Sequence, residues 1–243
     1  TAVLGVGAGI VADSEPLAEW REAQIKAGFA RKSGPECRAP AFDLIETMRF
    51  DPEEGIALLE GHLARISASA HELGFSFDRH AARNQIQTLC FELSEGAKVR
   101  LTCARSGTTA IEVAPLPATP SEPLDCIALP LPVDAGDWRL RHKTTDRGFY
   151  ADALAAAHET DAHEALLVRE DGLVTEGCWT SVFVERAGML VTPPRALGLL
   201  PGVFRESLIA EGRAVEGEIS LDDLEGGFFI GNALRGMMRA RLV

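Results

Sequence analysis

Six of the thirteen prolines in this chain fall between Pro115 and Pro132. A proline ring fixes φ at about −65° and leaves no amide hydrogen, so a stretch this dense in proline sustains no helical period. Each side of it must therefore close its own core, and 243 residues, 46% of them hydrophobic, suffice for one large core or two small ones. A second break falls earlier, where ARKSGPECRAP (30–40) mixes Pro, Gly and charge with no hydrophobic period. The breaks divide the chain into a strand–helix segment (1–30), a linker (31–41), a small α/β lobe (42–118), a crossover (119–132) and a larger lobe (133–243). No internal repeat is evident.

In the small lobe FDLIETMRF (42–50) reads as a strand and DPEEG as a turn. The apolar spacing of Ile56, Leu59, Leu63, Ile66, Ala70 and Leu73 predicts a helix closed by Gly74. A second helix is expected from about Asp78 to Ser94, followed by the strands AKVRLTCAR and TAIEVAPL joined at SGT as a hairpin. The larger lobe shows a helix from about Phe149 to Thr160 and a β-rich run, EALLVREDGLVTEGCWTSVFVERAGMLVTPP, turning at EDG and RAG. A Pro-Gly turn in LLPGV then feeds a helix, and FFIGNALRGMMRARLV closes with a strand, a turn and a basic tail. The pattern predicts a two-lobed α/β (α+β) architecture.

Charge and cysteine usage exclude several classes. With 24 Lys+Arg against 36 Asp+Glu, net −12, the chain repels polyanions, so nucleic acid is not expected as a partner. Five cysteines, Cys37, Cys90, Cys103, Cys126 and Cys178, are odd in number and form no CxxC pair, which suggests neither a disulfide framework nor a zinc site and fits a reducing cytoplasm. TAVLGVGAGIVA has no basic residue ahead of it and acidic sequence after it, unlike a signal peptide. No apolar run approaches the roughly twenty residues needed to span a bilayer, so no membrane association is expected.

Several motifs could carry chemistry. The glycines of GVGAGIVADS fail the dinucleotide fingerprint GxGxxG, because Ile10 holds the third glycine position and no helix follows directly. Glu19, Glu22 and Lys26, spaced i, i+3 and i+7, share a helix face that could hold a divalent metal and an anion, or be a solvated face of paired charges. Lys143 lies in RLRHKTTDRGFY among Arg139, Arg141, His142 and Arg147. Crowding by cations lowers an ammonium pKa and prepares a lysine for Schiff-base chemistry; the competing reading is a basic surface turn. Glu176 in VTEGCWTSVF could pair with a ring nitrogen, the turn in LLPGVFRES could offer backbone N–H groups to a phosphate, and Arg65 in GHLARI could add a bidentate fork. Singly, each is also what a structural turn or a solvated helix face would show.

Taken in order, ETMRF, GHLARI, HKTTDR, VTEGCWTSVF, LLPGV and GNALRG resemble the fold-type IV pyridoxal-phosphate enzymes, across residues 42–243. That class includes branched-chain and D-amino-acid aminotransferases and 4-amino-4-deoxychorismate lyase, and HKTT around the lysine is most similar to the short lyase-like members. The resemblance implies pyridoxal 5′-phosphate as cofactor, with Lys143 as the catalytic lysine that carries it and Glu176 as partner of its ring nitrogen. It implies Arg65 as a phosphate ligand, with backbone contacts at Val203 and Phe204 and with Asn232 and Ala233 beside them. The larger lobe would then bind the cofactor. Arg100 in KVRLTCAR and Arg235 in GNALRG are the candidates for the substrate carboxylates. Two departures stand out: Ser181 and Val182 where members often read EGxxxNIF, and Phe204 where they often have Thr after LPGV.

GVGAGIVADSEPLAEWREAQIKAGF (5–29) resembles the C-terminal end of anthranilate synthase and aminodeoxychorismate synthase component I. There the resemblance would make Glu19 and Glu22 magnesium ligands and Lys26 a substrate contact, but about thirty residues cannot rebuild a fold of several hundred. No metal site is expected in this chain. Component I makes aminodeoxychorismate and the lyase converts it to 4-aminobenzoate and pyruvate for folate synthesis. The two resemblances together imply the C-terminal part of a bifunctional fusion, a cytoplasmic homodimer acting as the lyase. The alternatives are a class IV aminotransferase for branched-chain or D-amino acids, and a non-catalytic domain supporting an attached synthase.

Overall fold

Strand β1 (Leu44–Asp51) alternates so that Leu44, Glu46, Met48 and Phe50 share one buried face. It appears in a computed structural model that describes residues 42–118 and 120–243. The readings made on residues 1–41, including Glu19, Glu22, Lys26 and the linker, lie outside the described residues. β1 pairs antiparallel with β2 (Gly55–Ile56) and with β3 (Ala97–Cys103), and β3 pairs with β4 (Thr109–Pro115), in the order β2-β1-β3-β4. Helix α1 (Leu59–Leu73) lays Leu63, Ile66 and Ala70 onto this sheet against Leu44, Met48, Val99 and Leu101. It ends at Gly74, whose φ of 69° lets its N–H reach back to Ala70 O.

Helix α2 (Arg79–Cys90) begins at Asp78, whose carboxylate accepts from Ala81 N at 2.9 Å. It stops short of the expected Ser94, because Phe91 N and Glu92 N turn to Thr88 O and Leu89 O in tighter i→i−3 bonds.

The larger sheet corrects two expectations. Its order is β10-β9-β8-β11-β12-β5-β6-β7, from β5 (Leu124–Pro130), β6 (Glu164–Val168), β7 (Val174–Gly177), β8 (Ser181–Arg186), β9 (Met189–Thr192), β10 (Ala214–Glu216), β11 (Phe228–Asn232) and β12 (Gly236–Leu242). The proline-dense stretch, expected only to cross between the lobes, contains β5, which runs parallel to both β12 and β6. Pro123 and Pro130 sit just before and at the end of that strand, where a missing N–H costs the ladder least. The expected closing strand and turn are β11 and the β11–β12 turn, and the basic tail after them is itself a strand. In β12 the buried Met238 and Ala240 alternate with the outward Arg239 and Arg241.

All five residues of β6 are buried because both faces are covered. Ala165 and Leu167 lie with Phe149, Ala153 and Ala157 of α3 (Gly148–Glu159), while Leu166 and Val168 join Val182, Ile230 and Met238 on the other side. Helix α4 (Val203–Ala210) links β9 to the parallel strand β10.

The lobes are stitched at one seam. Ile45 N donates to Lys143 O at 3.0 Å and Thr145 N to Asp43 O at 2.9 Å, so the backbone on either side of Lys143 is bonded to the start of β1. Among the described residues no helix is long and apolar enough to cross a membrane. Leu124 is fully buried where β12 meets β5. Leu124→Ala is accordingly expected to cost about 2–5 kcal/mol in urea denaturation; an unstructured crossover would give almost no loss.

Candidate active site

A cavity opens at the seam, and its wall takes one contribution from nearly every neighbouring element: Arg65 from α1, Lys143 and Arg147 from the segment before α3, Glu176 from β7, Val203 from α4, and Asn232 from β11. Lys143 keeps partial exposure because it lines this opening. Burial, then Arg147 and Arg65, lower its pKa well below the ordinary lysine value, against the opposing pull of Glu46 and Glu176. The cations crowding it are only partly those adjacent in sequence. Arg139 turns away onto Asp137 at 2.6 Å, Arg141 is exposed, and His142 Nδ1 meets Ser69 Oγ at 3.0 Å. Arg65 comes from the other lobe.

Glu176 is buried at the floor. Tyr150 Oη donates to its carboxylate and Leu200 N donates to both oxygens at 3.2 Å. Burial pushes its pKa up to about 7, with Tyr150 and Arg147 pulling the other way. Such a group carries negative charge readily once a cation is placed beside it.

Two carboxylates that sequence reasoning missed hold the wall in place. Glu46, inside the ETMRF stretch, receives Arg65 Nε at 2.8 Å and lies 2.7 Å from His62 Nδ1. Burial drives its pKa up, but Arg65 and His62 outweigh that and hold it at about 2. The signal was its place in the alternation: a charge on the same strand face as Leu44, Met48 and Phe50. Glu164 opens the otherwise apolar EALLV. It accepts from Ala165 N and Cys178 N at 3.0 Å each, from Trp179 N at 3.3 Å and from Thr180 Oγ1 at 2.9 Å, and burial pushes it to about 8. The corner it grips needs Gly177, since a Cβ there would lie 2.7 Å from Glu164 Oε2.

The remaining residues singled out in the sequence divide. The first helical bond of α4 runs from Glu206 N to Gly202 O, so the N–H groups of Val203 and Phe204 have no helical acceptor at the cavity wall. The Phe204 ring packs edge-on against Phe183, and a Cβ on Gly231 would lie 2.8 Å from it, which is where the side chain replacing threonine goes. Asn232 closes the β11–β12 turn: its Oδ1 accepts from Leu234 N and Arg235 N at 2.9 Å, and its Nδ2 donates to Trp179 O at 3.2 Å. Ala233 and Arg235 line the cavity beside it, with the Arg235 guanidinium 4.8 Å from the Trp179 ring. Arg100 is not brought to the wall; it is half-buried on β3, and Thr47, opposite it on β1, lines the cavity instead.

Three buried nitrogens of this wall have no partner: His62 Nε2, Arg147 Nη1 and Arg235 Nε. Together with the open end of α4 and a lysine of lowered pKa, they fit a phosphorylated, polar occupant that forms a Schiff base. Fold and site thus define a pyridoxal-phosphate enzyme. The amino-transferase class IV family matches residues 43–243, and the chain belongs to it.

A Schizosaccharomyces pombe protein described as "Putative aminodeoxychorismate lyase" is 29% identical over 192 residues, 76% of this chain and 82% of that one. A Mesorhizobium loti structure described as a "Putative amino-acid aminotransferase" is 37% identical with TM-score 0.77, covering 83% of this chain and all of that one. The PLP-bound form of a hypothetical aminotransferase from Mycobacterium tuberculosis shares the fold at 22% identity and TM-score 0.71, over 87% of each chain. Pyridoxal phosphate is the cofactor of the family and of this chain.

Glu46 has a pKa held below the usual 4.5, so the stability it adds is complete above that pH and is lost as pH falls toward 2. Glu46→Gln leaves Arg65 buried beside an uncharged partner and is expected to cost about 3–5 kcal/mol at pH 7. Denaturant titrations across pH should show the gap between wild type and variant narrowing between pH 4.5 and 2.

Proposed function

We propose that this chain is a 4-amino-4-deoxychorismate lyase, releasing 4-aminobenzoate and pyruvate. The observation that carries this reading is the pair of arginines, Arg147 and Arg235, which both line the cavity that holds Lys143 and each keep a buried N–H without a partner. A substrate with one amine and two carboxylates, on its ring and on its enolpyruvyl arm, fits that arrangement. A branched-chain amino acid offers one carboxylate and an apolar chain. In this reading Arg147 takes the role the sequence suggested for Arg100.

Arg65, the N–H groups of Val203 and Phe204 and the Asn232–Ala233 turn would hold the cofactor phosphate, Glu176 the ring nitrogen, and Lys143 the covalent bond. Bound there, pyridoxal phosphate supplies an electron sink conjugated to the substrate amine. Lys143 Nζ, its uncharged form favoured by burial, takes the proton from the ring carbon that bears the amine. The C–H electron pair becomes a ring double bond as the C–O bond to the enolpyruvyl group breaks. The departing oxygen keeps that bond's electrons, and the proton returned by Lys143 completes pyruvate. The ring left behind is aromatic, which drives the step forward. Arg147 and Arg235 hold the two carboxylates throughout, so the C–O bond stays aligned with the developing π system.

The likeness of residues 5–29 to synthase component I supports the same pathway and a fusion with, or attachment to, that synthase. A cytoplasmic homodimer completes the proposal. A second reading, an aminotransferase for branched-chain or D-amino acids, is favoured by the aminotransferase description of the Mesorhizobium loti structure. The products separate the two. Supplied with enzymatically made aminodeoxychorismate, the protein should yield 4-aminobenzoate and pyruvate in equal amounts, and Lys143→Ala should lower both by about 10³-fold or more. A keto acid formed from an amino acid, with no 4-aminobenzoate, would replace the lyase reading with the aminotransferase one.

A further inference from the structure

His62 is 1% exposed, sits in the cavity wall, and has one nitrogen whose partner is known and one that has none. The known partner fixes the tautomer. Glu46 is an anion and can only accept, so the proton of a neutral ring must lie on Nδ1, which donates to Glu46 Oε2 across 2.7 Å. Nε2 then carries a lone pair that no group in the structure meets, in a residue that lines the cavity.

The charged groups acting on the ring are Glu46 from β1, Arg65 one helical turn along α1, and Lys143, which lines the same cavity. Burial, assisted by Arg65 and Lys143, lowers the pKa of His62, while Glu46 pulls it up; the net lowering favours the neutral ring.

The same part of α1 abuts the open end of α4. Arg65 Nη1 donates to Pro201 O at 3.1 Å, and a Cβ on Gly61, beside His62, would lie 2.7 Å from Val203 Cγ1. His62 therefore belongs to the wall that also carries the free N–H groups of Val203 and Phe204. A phosphate monoester, with a second pKa of about 6, is largely a dianion near neutral pH and accepts hydrogen bonds only. A lone pair facing such a group is repelled; an N–H facing it is a charge-assisted donor.

We propose that His62 is the proton-carrying partner of the cofactor phosphate: the ring takes up one proton from solvent when the phosphate enters, then donates from Nδ1 to Glu46 and from Nε2 to the phosphate. Glu46 balances the new positive charge, and Arg65 is left to serve both anions. His62 acts on binding and position and takes no part in bond making at the substrate, so the proposal holds for a lyase and an aminotransferase alike.

Two measurements test it. In 15N imidazole spectra of protein stripped of and reloaded with pyridoxal phosphate, the His62 signals, identified by their loss in His62→Gln, should change from one protonated nitrogen to two. Sulfate, a dianion that does not itself protonate in this range, should bind the stripped protein about tenfold more weakly for each unit of rising pH once the ring is neutral. Calorimetry in two buffers of different ionisation enthalpy should register close to one proton taken up, and His62→Gln should bind sulfate with no such uptake. An Nε2 already protonated in the stripped protein, or unchanged on loading, overturns the proposal. Equal proton uptake by wild type and His62→Gln does the same.

Discussion

One buried charge, the carboxylate of Glu46, organises the place where the lobes meet. A lone anion in that interior would be prohibitive, and it persists because two cationic or polar side chains of α1 converge on it. That convergence fixes the rotation of α1 against β1, and Arg65 extends it across the seam to Pro201 O, just ahead of α4. The backbone flanking Lys143 is meanwhile bonded to the first residues of β1. Lysine, arginine and the open helix end thus take their positions from a single strand whose own side chain never enters the chemistry.

Three buried carboxylates show how environment sorts one functional group into separate tasks. Glu46 has a guanidinium and an imidazole and stays ionised, with a pKa of about 2. Glu176 has a phenol and one backbone amide and rises to about 7. Glu164, gripped by three amides and a hydroxyl but by no cation, rises to about 8. The first is a clamp, the second can respond to what lies in the cavity, and the third spans the corner from which Trp179 supports Arg235.

Much of the fold was legible because it rests on local periodicity. The i, i+3, i+7 spacing of Leu63, Ile66 and Ala70 and the glycine after Leu73 placed α1, and the two alternating runs around SGT placed the β3–β4 hairpin. The errors arose where position in a sheet overrides composition. Prolines at the ends of β5 disguised a strand that its interior neighbours define, and the arginines alternating with Met238 and Ala240, Arg239 and Arg241, disguised β12. At the site, the motifs that carry Lys143, Glu176 and the turn before α4, far apart in the chain, come together in one cavity. Which cations press on Lys143 was hidden: Arg139 and Arg141 are close in the chain and turned away, whereas Arg65 is distant in the chain and near in space. Arg100 is likewise not among the residues that line the cavity, whereas Thr47, its partner across the strands, is.

The order of the larger sheet also carries a consequence for biosynthesis. Strands β5, β6 and β7 form one block and β8 to β11 another, and only β12 lies between them. A nascent chain emerging from the ribosome holds Lys143 and Glu176 in the first block and the helix α4 in the second. The blocks cannot be joined edge to edge until residues 236–242 have been made. The cofactor cavity, which draws on both, therefore depends on β12 to bring the two blocks into one sheet.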